Sequence, residues 1–600
     1  MARRKMTLSI AAGLAALVTS TTAWSAPVAT AQAATSSSLG YIQQLTYRGT
    51  VNVRDLARAA SSASATAGTH GPEVRAQVDK EHALAAGSGV PNPPTRRVTT
   101  DHPGVSGFIG ITGAQSRLAD DGNNFSAEPP DQGLCAGNGF MLEAINLAVT
   151  VYADPSFQLT PVISLNRFFG LAPAIDRTKN PPIFGPFLSD PRCHYDPETG
   201  RWFLTTLEID LNPFTGAFGQ RSATLVAVSQ TNDPTGAYTI YSIDTTDDGN
   251  GTPRHPGCPC LGDFPMIGSD ANGFYITTRE FGLNSNAFNG GQIYAVSKKM
   301  LAANSSGANP TLPPVVHLQA GALAGGLADR LMPAVTPPGG TYAPNREYFL
   351  TTTNTLTASS NSIAIYALSN TASLSTAKPS LALSHKVLPA KLYTSNPKQQ
   401  QRPGPRPLGK ALGEPLPPID AGIDATFRST LSYTGGFLAG ALPTGVGSGS
   451  RPTSNAALWL IVKPTFSGGR VGGAVVRSGY VRAAGADVAY PSVAVKHDGT
   501  GAMVFTVIGP NTYPSIGEMP FSLAKGATGP IRLVARGSVP EDGISCYPVD
   551  LADPGYRGCR WGDYTAAVAT RNEIRIAGEF TPRTSRSTFL NFGTFIGRVR

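Results

Sequence analysis

LGDFPMIGSDANGFYITT, residues 261–278, turns a carboxylate- and proline-bearing corner into a short apolar strand, then crosses an Asn-Gly turn into a longer strand. The phrase returns as SDPRCHYDPETGRWFLTT at 189–206 and AYPSVAVKHDGTGAMVFT at 489–506. Its opening half returns as WGDYTAAV at 561–568, which leads into RNEIRIAGEF. Hairpins repeated at this spacing predict a radial all-β repeat, a β-propeller.

Working outward, strands of four to nine residues rich in Val, Ile, Phe, Tyr and Thr alternate with Gly, Pro, Asn and Asp from Gly107 onward. They divide into about seven units of typically four strands. The first runs through LCAGNGFMLEAINLAVTVYA with its turn at Asn138-Gly139. The second opens at Asp190, the third at Asp263, the fourth at LMPAV, the fifth near Asp424, the sixth at YPSVAV and the seventh at DYTAAV. The seventh shows only three strands, so GFIGI, residues 107–111, is expected to supply its fourth and close the ring. Closure would remove the sheet edges that otherwise invite aggregation.

Composition agrees with this reading. There are 66 Gly and 50 Pro in 600 residues and only 14% are charged, which means many turns and few long amphipathic helices. Arg3, Arg4 and Lys5 precede an apolar stretch from Leu8 to Val18 that ends in small residues, so residues 1–34 read as an export signal. The general secretory route is preferred over a twin-arginine route, which carries folded proteins and sits awkwardly with disulfides made after export. Residues 35–105 are Ala, Ser, Gly and Pro with scattered charges and read as a pro-segment or linker, with short helices near Val51–Ala60 and Glu73–Ala86. The propeller domain is then 106–600.

No later stretch approaches the roughly 18 apolar residues that span a bilayer, so the expected product is a secreted, extracellular or surface-associated monomer. The formal charge of +9 falls to +4 once residues 1–105 are set aside, too small an excess to predict nucleic-acid binding. One acid-free run, with Lys386, Lys391, Lys398, Arg402, Arg406 and Lys410, reads as a solvated, proline-extended connector, against a docking strip for an anionic polymer.

Six cysteines in an exported chain imply disulfides. Cys546 and Cys559 bracket one polar excursion before Trp561 and are paired here. For Cys135, Cys193, Cys258 and Cys260 three connectivities exist. A bridge inside Cys258-Pro-Cys260 would be strained, so cross-pairs with Cys135 and Cys193 are preferred. Zinc is disfavoured because Cys258-x-Cys260 lacks a spaced partner pair.

The phrases PPDQGLCAGNGFMLEAINLAVTVY, SDPRCHYDPETGRWF, NDPTGAY, GDFPMIGSDANGFYITT and RWGDY resemble a broad set of secreted bacterial β-propeller proteins, six- or seven-bladed and sometimes labelled sialidase-like on fold alone. The resemblance implies architecture and almost no chemistry. A sialidase would carry Ser-x-Asp-x-Gly-x-x-Trp turns. Ser269-Asp-Ala-Asn-Gly and His497-Asp-Gly-Thr-Gly lack the tryptophan. WD, YWTD and DxDxDG phrases are absent, and Thr434-Gly-Gly has only the double glycine of kelch repeats.

The candidate site is the set of corner carboxylates Asp131, Asp190, Asp263, Asp424 and Asp563, with Asp329 and Asp487 as weaker members. In a propeller such corners converge near one mouth of the central channel. Converging carboxylates either raise one another's pKa, giving an acid/base pair with Asp263, Asp563 and Asp190 as catalytic candidates, or recruit a cation such as calcium at Asp131, Asp190, Asp263 and Asp563. The bland alternative is that each caps backbone N–H groups. Glu143, Glu208, Glu280 and Glu579 recur at the second strand of their units. Asp131, Asp424, Arg279 and Arg428 are the ligand-binding candidates, the two arginines for carboxylate or sulfate recognition.

His194 and His255 read as satisfied core or loop histidines, since no G-x-S-x-G elbow anchors a serine. Trp202, Trp459, Trp561, Tyr195, Phe203, Phe264, Tyr275 and Tyr564 are expected between blades. The leading functional expectation is a non-catalytic binder of an extracellular polysaccharide, protein or surface polymer. The alternatives are a glycan-active hydrolase or lyase and a structural envelope protein.

Overall fold

The turns behave as their residues dictate. Asn138 and Gly139, with φ of 49° and 80°, both take the left-handed conformation that a two-residue hairpin needs, and Gly468-Gly469 repeat it at 57° and 76°. In the computed structural model, residues 40–62, 74–76, 89–303, 312–323, 326–353, 359–421, 424–547, 558–584 and 586–600 are described. The expected export signal lies outside them.

Among the described residues the chain is mostly β and contains seven antiparallel meanders. The first comprises Gly133–Gly137, Phe140–Ile145 and Ala148–Ala153, edged by the two-residue strands Phe157–Gln158 and Ile163–Ser164. The second is Phe187–Asp196, Arg201–Leu211, Phe218–Ser229 and Ala237–Asp244. The third is Cys260–Ser269, Gly273–Gly282, Phe288–Ser297 and Pro314–Gln319. The fourth is Met332–Val335, Arg346–Thr352, Ser359–Ser369 and Ala382–Thr394.

The fifth meander is Leu431–Thr434, Phe437–Val446, Ser454–Ser467 and Arg470–Ala483. The sixth is Asp487–Val495, Thr500–Gly509, Thr512–Ser522 and Ile531–Ala535. The seventh has Ala566–Ala569, Ile574–Phe580 and Gly593–Val599, and its outer strand is Val105–Thr112, which pairs antiparallel with Gly593–Val599.

The first strand of each meander packs against the first strand of the next, and that of the seventh against that of the first. Cys260–Ser269 shows why its sequence is almost continuously apolar: every residue in it is buried, with neighbours on both faces. Aromatic side chains fill the gaps between sheets. Phe203 of the second meander stacks on Phe274 of the third at 4.7 Å between ring centroids. Trp202 and Trp561 are fully buried.

The segment expected to be a linker is instead partly built into the sheets. Tyr41–Gln44 extends the third meander and Thr46–Asn52 the second, both antiparallel. Thr95–Arg96 and Val98–Thr99 lie parallel on the fifth and sixth. Alternating polar and apolar residues such as Thr46-Tyr-Arg-Gly-Thr-Val suit an outer strand with one wet face, so the chain covers edges that would otherwise be open. The helix near residue 51 is present as Val53–Ser62. Of the expected 73–86 helix only Val74–Ala76 lies within the described residues, as a strand.

All six cysteines are bridged. Cys546–Cys559 is as expected, but Cys135 pairs with Cys193 and Cys258 with Cys260, which corrects the preferred cross-pairing. Cys135 and Cys193 sit on adjoining first strands with Cα atoms 5.2 Å apart, and the Cα atoms of Cys258 and Cys260 are 4.4 Å apart, so both pairs are within bridging reach. No helix among the described residues is long and apolar enough to cross a membrane.

Candidate functional site

The repeated corner is a β-bulge. Pairing slips between Ser189 and Arg192, Asp263 and Met266, and Ala489 and Ser492, each time across an X-Pro step. The residue before the proline is left-handed: Asp190 at φ 53°, Phe264 at 58° and Tyr490 at 47°, with Asp131 at 43° in the first meander. Such angles cost a non-glycine residue energy and persist only where surroundings hold them. The bulge takes these residues out of the ladder and re-aims their side chains. Here they meet in one buried layer rather than at an open mouth, because every one of the corner carboxylates Asp131, Asp190, Asp263, Asp329, Asp424 and Asp563 is buried.

Arginines from neighbouring units enter the same layer. Arg279 grips Asp329 bidentately, with Nε and Nη2 donating at 3.1 and 3.0 Å. Arg428 donates to Asp424 at 2.6 Å and lies 3.0 Å from Asp563 Oδ1, and Arg330 pairs with the other oxygen of Asp424. The ligand-binding candidates Arg279 and Arg428 therefore do recognise carboxylates, but those of their own chain. Tyr490 donates its hydroxyl to Asp563 Oδ1 at 3.0 Å. The Arg192 guanidinium stacks 3.2 Å above the Tyr564 ring. Asn146 links two corners, donating to Asp131 at 2.8 Å while accepting from the Asp190 amide at 2.8 Å.

The electrostatics divide the acids. Burial, reinforced by the charges of Asp131 and Asp263, pushes the Asp190 carboxyl well above its ordinary range. Burial also raises Asp563, against the pull of Arg428. Asp424 is equally buried, yet Arg330 and Arg428 outweigh that and hold it far below the usual carboxylate range. Asp487 does not join the layer. It lies at the far end of its strand, accepts from the Asn455 amide at 2.6 Å, and is pushed up to about 6 by burial.

The recurring glutamates prove to be local anchors. Glu143 accepts from Ile111 N, Gln132 and Tyr152, and from Thr594, tying the first unit to the N-terminal closing strand. Glu579 accepts from Gly562 N at 2.7 Å, and Glu208 faces Arg48 at 3.2 Å. Glu280 accepts from His255. His194 shares a 3.0 Å hydrogen bond with buried Ser269, and burial lowers its pKa to about 4, so it stays neutral.

The basic connector is less bare than its sequence implies. Lys398 pairs with Asp420 at 3.2 Å and Arg402 lies over the Tyr513 ring. Gln401 donates to Glu541 O and accepts from Glu541 N.

Residues from all seven first strands, among them Leu134, His194, Ile267, Val335, Leu431, Val493 and Ala567, line one cavity of about 110 Å³. Its walls are mostly Ser, Thr, Ala, Pro and aliphatic side chains, and no Asp or Glu belongs to them. Asp131, Asp190 and Asp563 lie one or two residues before this lining, and Asp263, Asp329 and Asp424 three to six.

No family model and no curated protein matches the chain. Similar solved structures include a protein of unknown function from Dyadobacter fermentans, with 12% identity, 69% of this chain and 95% of that one covered, and a TM-score of 0.31. A Trypanosoma rangeli sialidase in complex with sialic acid shows 9% identity, 69% and 54% coverage and a TM-score of 0.32, so the match spans about half of that enzyme. An exo-β-1,3-galactanase from Clostridium thermocellum shows 11% identity, 82% and 96% coverage and a TM-score of 0.28. At these values the likenesses carry neither fold nor function over to this chain.

Two acidic groups escaped the sequence reading. Glu128 and Glu541 are buried near Glu579, and burial raises Glu128 to about 7 and Glu541 well above its ordinary value. Asp247, His255 and Glu280 bring ligand atoms within 4.8 Å of one another. Glu280 follows a repeated phrase but Glu128, Glu541, Asp247 and His255 do not, so only tertiary proximity reveals the two groups.

Proposed function

We propose that the seven meanders are the blades of a β-propeller closed by Val105–Thr112, and that the exported protein binds an extracellular polymer without cleaving it. The seven first strands sharing one cavity support the architecture. The observation that carries the non-catalytic reading is the state of the corner acids: they are buried, and arginine, tyrosine, asparagine or backbone donors engage Asp131, Asp329, Asp424 and Asp563. A general acid or nucleophile must reach its substrate, and the cavity beside this layer is lined without a carboxylate. On this reading Asp131, Asp190, Asp263, Asp424 and Asp563 lock the blades together, and the carboxylate-free cavity rim and outer loops offer the binding surface.

The test is incubation of the exported protein with cell-wall and extracellular polysaccharides, with mass spectrometry of whatever is released. Retention on a polymer with no fragments is the expected result. Fragments that disappear with Asp263→Asn or Asp563→Asn, in variants that still fold by circular dichroism, would make the protein a glycan-active enzyme instead.

A further inference from the structure

A second polar cluster lies outside the corner layer, where the loop after Ala237–Asp244 crosses the third meander. Asp247 sits in that loop at a left-handed φ of 48°, held by its own carbonyl accepting from His255 N at 3.0 Å and by Cys260 N donating to Thr246 O at 2.7 Å. Glu280 projects from Gly273–Gly282 and His317 from Pro314–Gln319. Asp247 and Glu280 are fully buried, His317 is 2% exposed, and the His255 side chain is 11% exposed at the edge of the group.

Hydrogen bonding leaves this cluster short of donors. His255 Nδ1 lies 2.9 Å from Glu280 Oε2, and its Nε2 lies 3.0 Å from the Gln319 amide nitrogen, which donates to it. With the Gln319 amide so oriented, the ring proton on Nδ1 faces Glu280. His317 Nε2 donates to Gln292 Oε1 at 3.0 Å, which leaves Nδ1 as a bare lone pair. Neither carboxylate oxygen of Asp247 accepts a hydrogen bond from the protein, and neither does His317 Nδ1. Two acids buried side by side, one of them without a donor, are costly to keep.

The spacing identifies what would balance them. His255 Nδ1 is 2.9 Å from Glu280 Oε2 and 3.6 Å from Asp247 Oδ2, and His317 Nδ1 is 3.7 Å from Asp247 Oδ1. Ligands held about 2.0–2.2 Å from a tetrahedral ion stand about 3.3–3.6 Å from one another; the 3.6 Å pair stands there already, and the 2.9 Å pair is a hydrogen bond that opens as the ion replaces its proton. We propose that Asp247, His255 and Glu280 bind one divalent transition-metal ion of the zinc class, with His317 packed beside the site. Imidazole nitrogens beside carboxylates suit that class, whereas calcium takes oxygen ligands only. Binding moves the His255 proton from Nδ1 to Nε2, and the exposed Gln319 amide turns to accept it. The ion would fasten the 245–260 loop to the third meander.

The neighbouring bridge supplies the rival arrangement. Cys258 and Cys260 are disulfide-linked with Cys258 Sγ 3.4 Å from Glu280 Oε1, and reduction would turn them into thiolate ligands. The test is dialysis of the oxidised protein against micromolar zinc chloride and then metal-free buffer, followed by elemental analysis, thermal unfolding and X-ray absorption. One zinc per chain, a raised melting temperature and a nitrogen/oxygen coordination sphere are expected. Asp247→Asn and His255→Gln should each weaken retention about tenfold or more. His255→Gln, at the rim, is the variant expected to keep its circular dichroism if Asp247→Asn does not. No retained zinc and no thermal shift, retention unchanged in a folded His255→Gln protein, or sulfur in the coordination sphere would each overturn the assignment.

Discussion

The backbone amide of Asp563 donates to Asp131 Oδ1 at 2.7 Å, joining the corner that opens the last meander to the corner that opens the first. Because Asn146 continues the chain from Asp131 to the Asp190 amide, one run of hydrogen bonds crosses three corners. Asp131→Ala strands two buried donors, each costing about 1–3 kcal/mol. A loss of about 3 kcal/mol in urea unfolding is expected, with a smaller loss for Asp131→Asn, which keeps one acceptor. Equal stability of the alanine variant and the parent would show that this closure is idle.

Stability should rise as the solution is made mildly acidic. Burial raises Glu128 and Glu518 to about 7 from an ordinary 4.5, in Glu518 against the pull of Arg532. A carboxyl raised by folding binds its proton more tightly in the native state. Stability is therefore gained as pH falls through about 7, is complete near 4.5, and is missing above neutrality. Asp424 works in the opposite sense, since its contribution is present at neutral pH and is lost only in strong acid, as pH falls through its depressed value. The melting temperature at about pH 5 should exceed that at about pH 8, and the double variant Glu128→Gln, Glu518→Gln should flatten the slope. A parent more stable at the higher pH would contradict the assignment.

The three disulfides should rank by the loops they close. Sequence separations are 58 for Cys135–Cys193, 13 for Cys546–Cys559 and 2 for Cys258–Cys260. In the chain-entropy model these correspond to about 4, about 3 and under about 2 kcal/mol. Pairwise Cys→Ala variants compared by urea unfolding should follow that order. A different order would mean that packing at each bridge, rather than loop closure, sets its worth.

Asp542 holds down the basic connector. Its carboxylate accepts from Leu408 N at 3.0 Å and Gly409 N at 2.9 Å, at the start of the short helix Pro407–Leu412. Asp542→Ala should free this segment and speed tryptic cleavage after Lys410 about tenfold, read by mass spectrometry of the early fragments, the bonds after Arg402 and Arg406 being protected by the prolines that follow them. Unchanged cleavage would show that the Gln401–Glu541 hydrogen bonds secure the segment alone.

The strand-opening phrases are legible because a hairpin is local chemistry. Asn138-Gly139 and Gly468-Gly469 set their turns within two residues, and Val493-Ala494-Val495 is apolar because its strand has neighbours on both faces. The same locality hides partners. Nothing within Asp329's own stretch announces Arg279, nor does Asp563 announce Asp131, 432 residues away. The basic run at 386–410 looked acid-free because Asp420 and the Tyr513 ring come from elsewhere in the fold.

Composition and short-range pattern alone therefore determined that the chain is an array of β-hairpins with acidic, proline-bearing corners, since turn geometry and strand burial depend on neighbouring residues. Tertiary structure decided what the corners are for. Only the packing of successive first strands brought Asp131, Asp190, Asp424 and Asp563 into one buried layer with arginines from other units, where burial and long-range charge set their protonation. It also placed residues 41–52 as edge strands, paired Cys258 with Cys260, and assembled Asp247, His255 and Glu280 from segments that share no sequence pattern.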